Sequence, residues 1–223
     1  MIQKQALVIG LGQFGMTLAR ALAARGVEVM AVDVVPERVQ LVSAVVSEAA
    51  CFDASDEAAL LRTAPASRDI CVCALGDESR EAAILVTALL RQMGARHVVS
   101  RATDDLMERI LRLVGAHDVV NPERAFGERL ASRLILSGIL DELPLGRDLM
   151  ITELRAPRDM IGRTLIELEL PRRFGITLVA IRRVVNGEGT VAVPSPRDPV
   201  QAEDVLIVVS RPGAIQVLLE GGG

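Results

Sequence analysis

The sequence predicts an α/β protein. A doubly wound parallel sheet fills roughly the first half, and a crossover helix joins it to a smaller α+β lobe. Three observations predict this. Short apolar runs alternate six times with helical segments up to residue 122. A Gly10-Leu11-Gly12-Gln13-Phe14-Gly15 turn follows the first run directly. Beyond about Met150 the alternation gives way to strand-like runs separated by Pro- and Gly-rich turns.

The elements read in order. Ala6 to Gly10 is an apolar run closed by glycine, as a buried parallel strand should be. Met16 to Arg25 is helical and stops at Gly26. Val27 to Asp33 is a second strand. Pro36 opens a helix to about Ser47, where its missing N–H costs little. Ala49 to Asp53 is a short third strand, and Asp56 to Ala64 a helix that Ser55 could cap. Ile70 to Leu75, His97 to Arg101 and Asp118 to Asn121 continue the strands. Helices Glu78 to Met93 and Asp104 to Val114 lie between them. The chain then reads as a helix from Glu123 to Ser137 and a connecting stretch to Gly146. Strands follow at Met150–Leu154, Ile176–Arg182 and Val205–Val209, with helices at Leu165–Leu168 and Ala214–Leu219 and a rigid loop from Pro194 to Pro199. The domain limits expected are 1–122, a crossover helix and linker over 123–147, and 148–223.

Composition narrows the function. Half of the 223 residues are hydrophobic but only 2% are aromatic, so the cores must be aliphatic. With 25 basic against 29 acidic residues the net charge is -4, which offers no basic face for nucleic acid. Cys71 and Cys73 alternate along an apolar run and read as small hydrophobes on one side of a buried strand. Together with Cys51 they make an odd number, which suits a reducing cytoplasm better than a disulfide framework. The first residues lead straight into a strand and carry no signal-peptide pattern. No apolar run approaches the ~20 residues of a membrane span, so no direct membrane insertion is expected.

The chemistry concentrates at the glycine turn. A lone G-x-G-x-x-G is weak evidence. Here it follows a strand, opens a helix, and has an acid, Asp33, 18 residues beyond Gly15 at the end of the next strand. Gly10 allows the tight turn, Gly12 lets backbone approach a diphosphate, and Gly15 lets the helix lie close on the sheet. The helix N-terminus offers unpaired N–H groups to phosphate. Asp33 can accept both ribose hydroxyls and would repel a 2′-phosphate. This is the Rossmann fingerprint for a dinucleotide; the competing reading is a turn kept for packing.

Ligands of such sheets sit beyond the strands' carboxyl ends. Those ends supply Asp53, Ala54 and Ser55, which could border the adenine; Ala74, Leu75 and Gly76, which could border the other end; and Arg101, which could meet phosphate. Ser55 and Asp77 are equally good helix caps, and Arg101 could be structural. Catalytic candidates are poor. His97 falls in a strand and His117 in a turn, neither with a partner evident in the sequence, and the second lobe has no histidine or cysteine. A chain that binds a nucleotide with little provision for a substrate reads as a sensor rather than an enzyme.

With these residues noted, the chain resembles the RCK (regulator of potassium conductance, or KTN) family, in particular the gating subunits of Ktr/Trk potassium uptake systems. Val8-Ile9-Gly10-Leu11-Gly12-Gln13-Phe14-Gly15 is close to the family's opening V-I-G-L-G-R-F-G, and Ala31-Val32-Asp33 matches its second strand. Gly115 through Glu123, Gly-Ala-His-Asp-Val-Val-Asn-Pro-Glu, matches a G-A-D-x-V-I-x-P-E run before the crossover helix. Phe174–Ile181 and Glu203–Val209 match the C-lobe. The resemblance implies a Rossmann N-lobe, a crossover helix and a C-lobe. It implies a regulator that binds ATP, ADP or NAD(H), forms homodimers assembled into an octameric ring, and gates a membrane potassium-translocating subunit from the cytoplasmic face. It further implies that Glu123 helps bind Mg2+, Ca2+ or Na+ beside the nucleotide phosphates; the alternative is an acid favoured at a helix N-terminus. Gln13 stands where the Ktr pattern has arginine, which leaves the choice among ATP, ADP and NAD open. C-lobes of this type can bind cyclic di-AMP between two subunits, but the position where an arginine commonly serves falls at about Pro171, with Arg172 and Arg173 following, so these residues do not support it here. A small NAD-dependent oxidoreductase and a regulator of another cation transporter are the alternatives.

Overall fold

The structure is a computed structural model that describes residues 3–136, 138–146, 148–185 and 188–220. The chain folds as two compact units, residues 1–124 and 125–223.

The first unit alternates strands β1 (Gln5–Ile9), β2 (Glu28–Asp33), β3 (Glu48–Cys51), β4 (Ile70–Cys73), β5 (Val98–Arg101) and β6 (Asp118–Val120) with helices α1 (Gln13–Ala23), α2 (Pro36–Ser43), α3 (Glu57–Leu61), α4 (Arg80–Gln92) and α5 (Asp105–Leu113). All neighbouring strands pair in parallel, in the order β3-β2-β1-β4-β5-β6. The winding reverses between β1 and β4, which opens a crevice at the strands' carboxyl ends.

The period-2 alternation of β1 divides the core between the two faces. Leu7 and Ile9 join Cys71, Cys73 and Val98 beneath Val86 and Leu90 of α4 and Met107 and Leu111 of α5. Val8 joins Ala31 and Val72 beneath Ala19 of α1 and Val42 of α2. Each fully buried Leu or Ile contributes about 1.5–3 kcal/mol, so aliphatic layers on both faces hold the sheet with almost no aromatic. The thiols of Cys71 and Cys73 lie in this core as expected, and burial pushes their pKa values up to about 12 and about 11.

Several boundaries differ from expectation. The third helix is capped by Asp56, whose side chain accepts from the Ala58 and Ala59 amides at 2.9 and 3.2 Å; Ser55 is not the cap. A carboxylate can accept both amides from one position, and the Asp53 side chain instead accepts from the Ser55 amide at 2.8 Å. Asp77 lies in a 3-10 turn, Asp77–Ser79, ahead of α4 and pairs with Arg80 at 3.6 Å rather than capping the helix. His97 falls just before β5.

Helix α6 (Pro122–Ile135) starts in the first unit, with the Asn121 side chain accepting from the Arg124 amide at 2.9 Å. The second unit is an antiparallel sheet of β7 (Ile139–Pro144), β8 (Met150–Arg155), β9 (Thr177–Val185), β10 (Glu188–Ala192) and β11 (Val205–Ser210), ordered β10-β9-β11-β8-β7. Short helices α7 (Leu165–Leu168) and α8 (Leu170–Phe174) and the helix α9 (Ala214–Glu220) complete it. Strands β7 and β10 were not expected. Both lie at sheet edges, where one side of pairing suffices and alternation is weak. The connecting stretch expected up to Gly146 contains β7, in which Asp141 and Glu142 interrupt the apolar pattern and the register with β8 shifts between Ile139 and Asp141. Inside this unit Asp204, 1% exposed, takes two bonds from the Arg183 guanidinium at 2.7 and 2.9 Å and one from the Gln201 amide at 2.9 Å. A buried carboxylate satisfied in this way is a structural tie for the turn into β11.

Candidate nucleotide site

The glycine turn shows three different demands for glycine. Gly10 sits at φ +90°, where a side chain is strained, and its amide donates to the Val32 carbonyl at 2.8 Å. At Gly15 a Cβ would fall 1.8 Å from the Gly10 carbonyl oxygen, so this glycine is required for α1 to lie on the turn. Gly12, the residue before α1, has an ordinary φ of -63°, and a Cβ there would meet nothing within 4 Å. The protein's own packing does not require Gly12; the open space before it lies at a helix N-terminus with no acid in its first turn.

Asp33 ends β2 and is buried, 6% exposed. Its Oδ2 accepts from the Leu11 amide at 2.5 Å, its Oδ1 from the Val35 amide at 2.8 Å, and Arg38 lies 3.6 Å from Oδ2. The carboxylate therefore holds the glycine turn to the end of β2 as well as facing the crevice. Two backbone donors and one partly exposed arginine balance its charge.

Beside it lies a cavity of about 240 Å³, bounded by Gly10 and Leu75 on one side and by Asp33, Asp53, Ala54 and Ser55 on another. Arg38 of α2 lines it too, and sequence reasoning missed it. The available signal was a basic residue in the helix turn after Asp33, five positions on, where a helical side chain can return toward the strand end. The remaining expected residues form a second group, joined to the first through the Ala74–Gly76 turn. Ala74 packs against the Cβ position of Gly15, and the Arg101 guanidinium lies 3.0 Å from the Cβ position of Gly76. Arg101 stands over the Phe14 ring at 5.9 Å and bonds Glu123 in the first turn of α6. Its Nε is buried without a partner. Gln13, the first residue of α1, is exposed, and its carbonyl accepts from Thr17.

Among the described residues no group of three His, Cys, Asp or Glu could hold a metal ion. Glu123 is a single carboxylate, 61% exposed and paired with Arg101. A cation here would need ligand phosphates for the rest of its shell. The histidines have partners the sequence did not show. His97 Nε2 lies 2.7 Å from Asp118, and His117 Nδ1 accepts from the Val98 amide at 2.8 Å. Both lie at the amino end of the sheet's strands, opposite the glycine turn. In the second unit Pro171 is the second residue of α8, Arg172 pairs with Glu169 at 3.3 Å, and Arg173 lies over Phe174.

The TrkA-N domain model matches residues 6–122, just over half of the chain, and the TrkA-C domain model matches residues 149–220. The chain belongs to the TrkA-N/TrkA-C (RCK) family. This RCK chain is 33% identical over 93% of its length to Ktr system potassium uptake protein C of Bacillus subtilis, covering 92% of that protein. It is 30% identical over 92% of its length to Ktr system potassium uptake protein A of Vibrio alginolyticus, again covering 92%. It is thus homologous to the Ktr proteins along nearly its whole length. Among solved structures the RCK chain superposes on the GsuK RCK domain with a TM-score of 0.66 at 16% identity, and on the GsuK channel bound to NAD with 0.69 at 18%. It covers 98% and 97% of itself but only 47% and 39% of those longer chains, and the likeness is one of fold. No helix among the described residues is long and apolar enough to cross a membrane.

Proposed function

We propose that this chain is the nucleotide-binding regulatory subunit of a potassium uptake system. One observation carries the reading. In a chain that aligns along nearly its whole length with Ktr potassium uptake proteins, a cavity opens at the carboxyl ends of the strands between the glycine turn, Asp33 and Asp53–Ser55. That is where doubly wound sheets take nucleotides. The ligand is an adenine nucleotide, ATP or ADP, or NAD(H). Its adenosine part fills the cavity beside Ala54 and Ser55, the ribose meets Asp33 and Arg38, and the phosphates lie before Gly12 and reach toward Arg101. Gly12 supports this, because nothing within the protein forbids a side chain there.

The subunit works from outside the bilayer on the cytoplasmic face. It acts as a homodimer, assembled further into a ring, and nucleotide occupancy controls a membrane potassium-translocating partner. Glu123 and the phosphates share a cation, Mg2+, Ca2+ or Na+. Among the described residues that line the cavity, the titratable side chains are Asp33, Arg38 and Asp53, and Asp33 is engaged by two amides and Arg38, which favours binding over acid–base chemistry.

The test is a thermal-shift series with ATP, ADP, NADH, NAD and cyclic di-AMP, since a ligand of the folded state raises apparent stability. At one hundred times Kd the stabilisation is about 2.7 kcal/mol. Adenine nucleotides are expected to shift the midpoint. No shift with any of them, or turnover of a nicotinamide cofactor with a simple alcohol or acid, would overturn the proposal.

A further inference from the structure

Two side chains in the first turn of α6 tie it to β5 and α5. Glu123 bonds Arg101 at the end of β5, and Arg124 bonds Asp105 and lies 3.6 Å from Glu108, both on α5. The two ties differ in setting. Arg124 is 40% exposed on the outer surface of α5. Arg101 is 17% exposed and is held on three sides: by the Phe14 ring, by the Gly76 turn and by Glu123. Phe14 and Gly76 belong to the two turns that face the phosphate space, so the guanidinium that fastens α6 also borders that space. A guanidinium has five N–H donors, and here Nε has no partner.

We propose that Arg101 is a shared partner, contested between Glu123 and the phosphates of the bound nucleotide, so that binding loosens the first turn of α6. The inference rests on the nucleotide reading above and adds a route from that site to the helix. A phosphate is the stronger claimant, since it carries more charge than a carboxylate and takes guanidinium in a two-pronged bond. No new contact is needed at α6 itself. With no divalent cation present, Glu123, 61% exposed, returns to solvent when Arg101 turns, and the Arg124 tie stays in place.

The test is a double-mutant cycle on ADP affinity in the full chain, read by calorimetry with EDTA present so that no divalent cation bridges to Glu123. Glu123→Gln removes the competitor and is expected to tighten ADP about two- to fivefold, the range for an ion pair of this exposure. With Arg101→Gln in the background, the same Glu123→Gln change is expected to alter affinity by less than about 1.5-fold, because contacting residues couple and isolated ones do not. Equal tightening in both backgrounds would mean that Glu123 acts only through its general charge, and would overturn the shared-partner idea. So would no tightening in the wild-type background. Should Arg101→Gln fail to fold, amide exchange in the wild type serves instead: ADP is expected to speed exchange over residues 123–126 at least twofold, and slowed or unchanged exchange counts against the idea. A wild-type protein that does not bind ADP or ATP at all removes the nucleotide site itself. A wild type that binds while the cycle is additive removes the shared partner alone.

Discussion

The amide of Leu11 donates to the Asp33 carboxylate at 2.5 Å, which fastens the glycine turn to the end of β2 from inside. Asp33 would therefore act twice, as a ribose acceptor and as the internal anchor of the turn that forms the phosphate space. Removing it leaves the Leu11 and Val35 amides without their acceptor.

Asp33→Ala is expected to weaken ADP binding at least about tenfold, roughly 1.4 kcal/mol, and to lower stability by about 1–3 kcal/mol through the two orphaned amides. Calorimetry and urea unfolding measure the two effects separately. Equal affinity in variant and wild type would show that Asp33 does not face the ligand.

The glycines separate packing from binding. Gly15→Ala forces a Cβ to within 1.8 Å of the Gly10 carbonyl and is expected to prevent α1 from docking, with a large loss of stability. Gly12→Ala meets open space at φ -63° and is expected to change stability by less than about 1 kcal/mol. It should nonetheless weaken nucleotide binding, because its methyl group enters the phosphate space. A Gly12→Ala protein that folds and binds normally would place the phosphates elsewhere.

Glu123→Gln is expected to reduce any enhancement of ATP binding by Mg2+ or Ca2+, since the amide cannot supply charge to the cation. The relevant measurement is ATP affinity with and without each cation in both proteins. An undiminished cation effect would remove Glu123 from the cation site.

The pH dependence of stability has a definite sign at His117. Partial desolvation, then the Arg91 guanidinium 2.8 Å away and His97, depress its pKa below the ordinary 6.5, with Asp118 opposing. The fold thus favours the neutral ring, whose Nδ1 accepts from the Val98 amide. Its contribution is present above pH 6.5 and is lost as pH falls through that value toward the depressed one. Urea unfolding at pH 7.5 and 5.5 should show the wild type losing more stability than His117→Gln over that interval. Equal losses would show that His117 titrates as an unperturbed histidine.

Much of the candidate site was legible because it is local. The glycine spacing, Asp33 and the strand-end residues follow from a strand–turn–helix pattern that repeats within a few tens of residues. Arg38 left only a weak signal, a basic residue in the helix after Asp33, because it reaches the cavity only when α2 turns back over the end of β2. The mutual bond of Arg101 and Glu123 was hidden likewise: both were candidates, each for phosphate or cation, but 22 residues separate them and only the β5–β6 pairing brings their ends together. Edge strands β7 and β10 escaped because a strand paired on one side needs no apolar alternation.

By itself the sequence determined the alternating α/β order, the aliphatic core and the glycine turn, since these depend on periodicity and on backbone freedom at single positions. The tertiary structure alone decided what the polar residues do to one another. It made Asp33 an anchor of the turn as well as a face of the cavity, gave capping to Asp56 rather than Ser55, and set Arg101 between the glycine turn and α6. The physical reason is that burial is written in spacing along the chain, whereas the partner of a charge is whichever group the fold brings within a few ångströms.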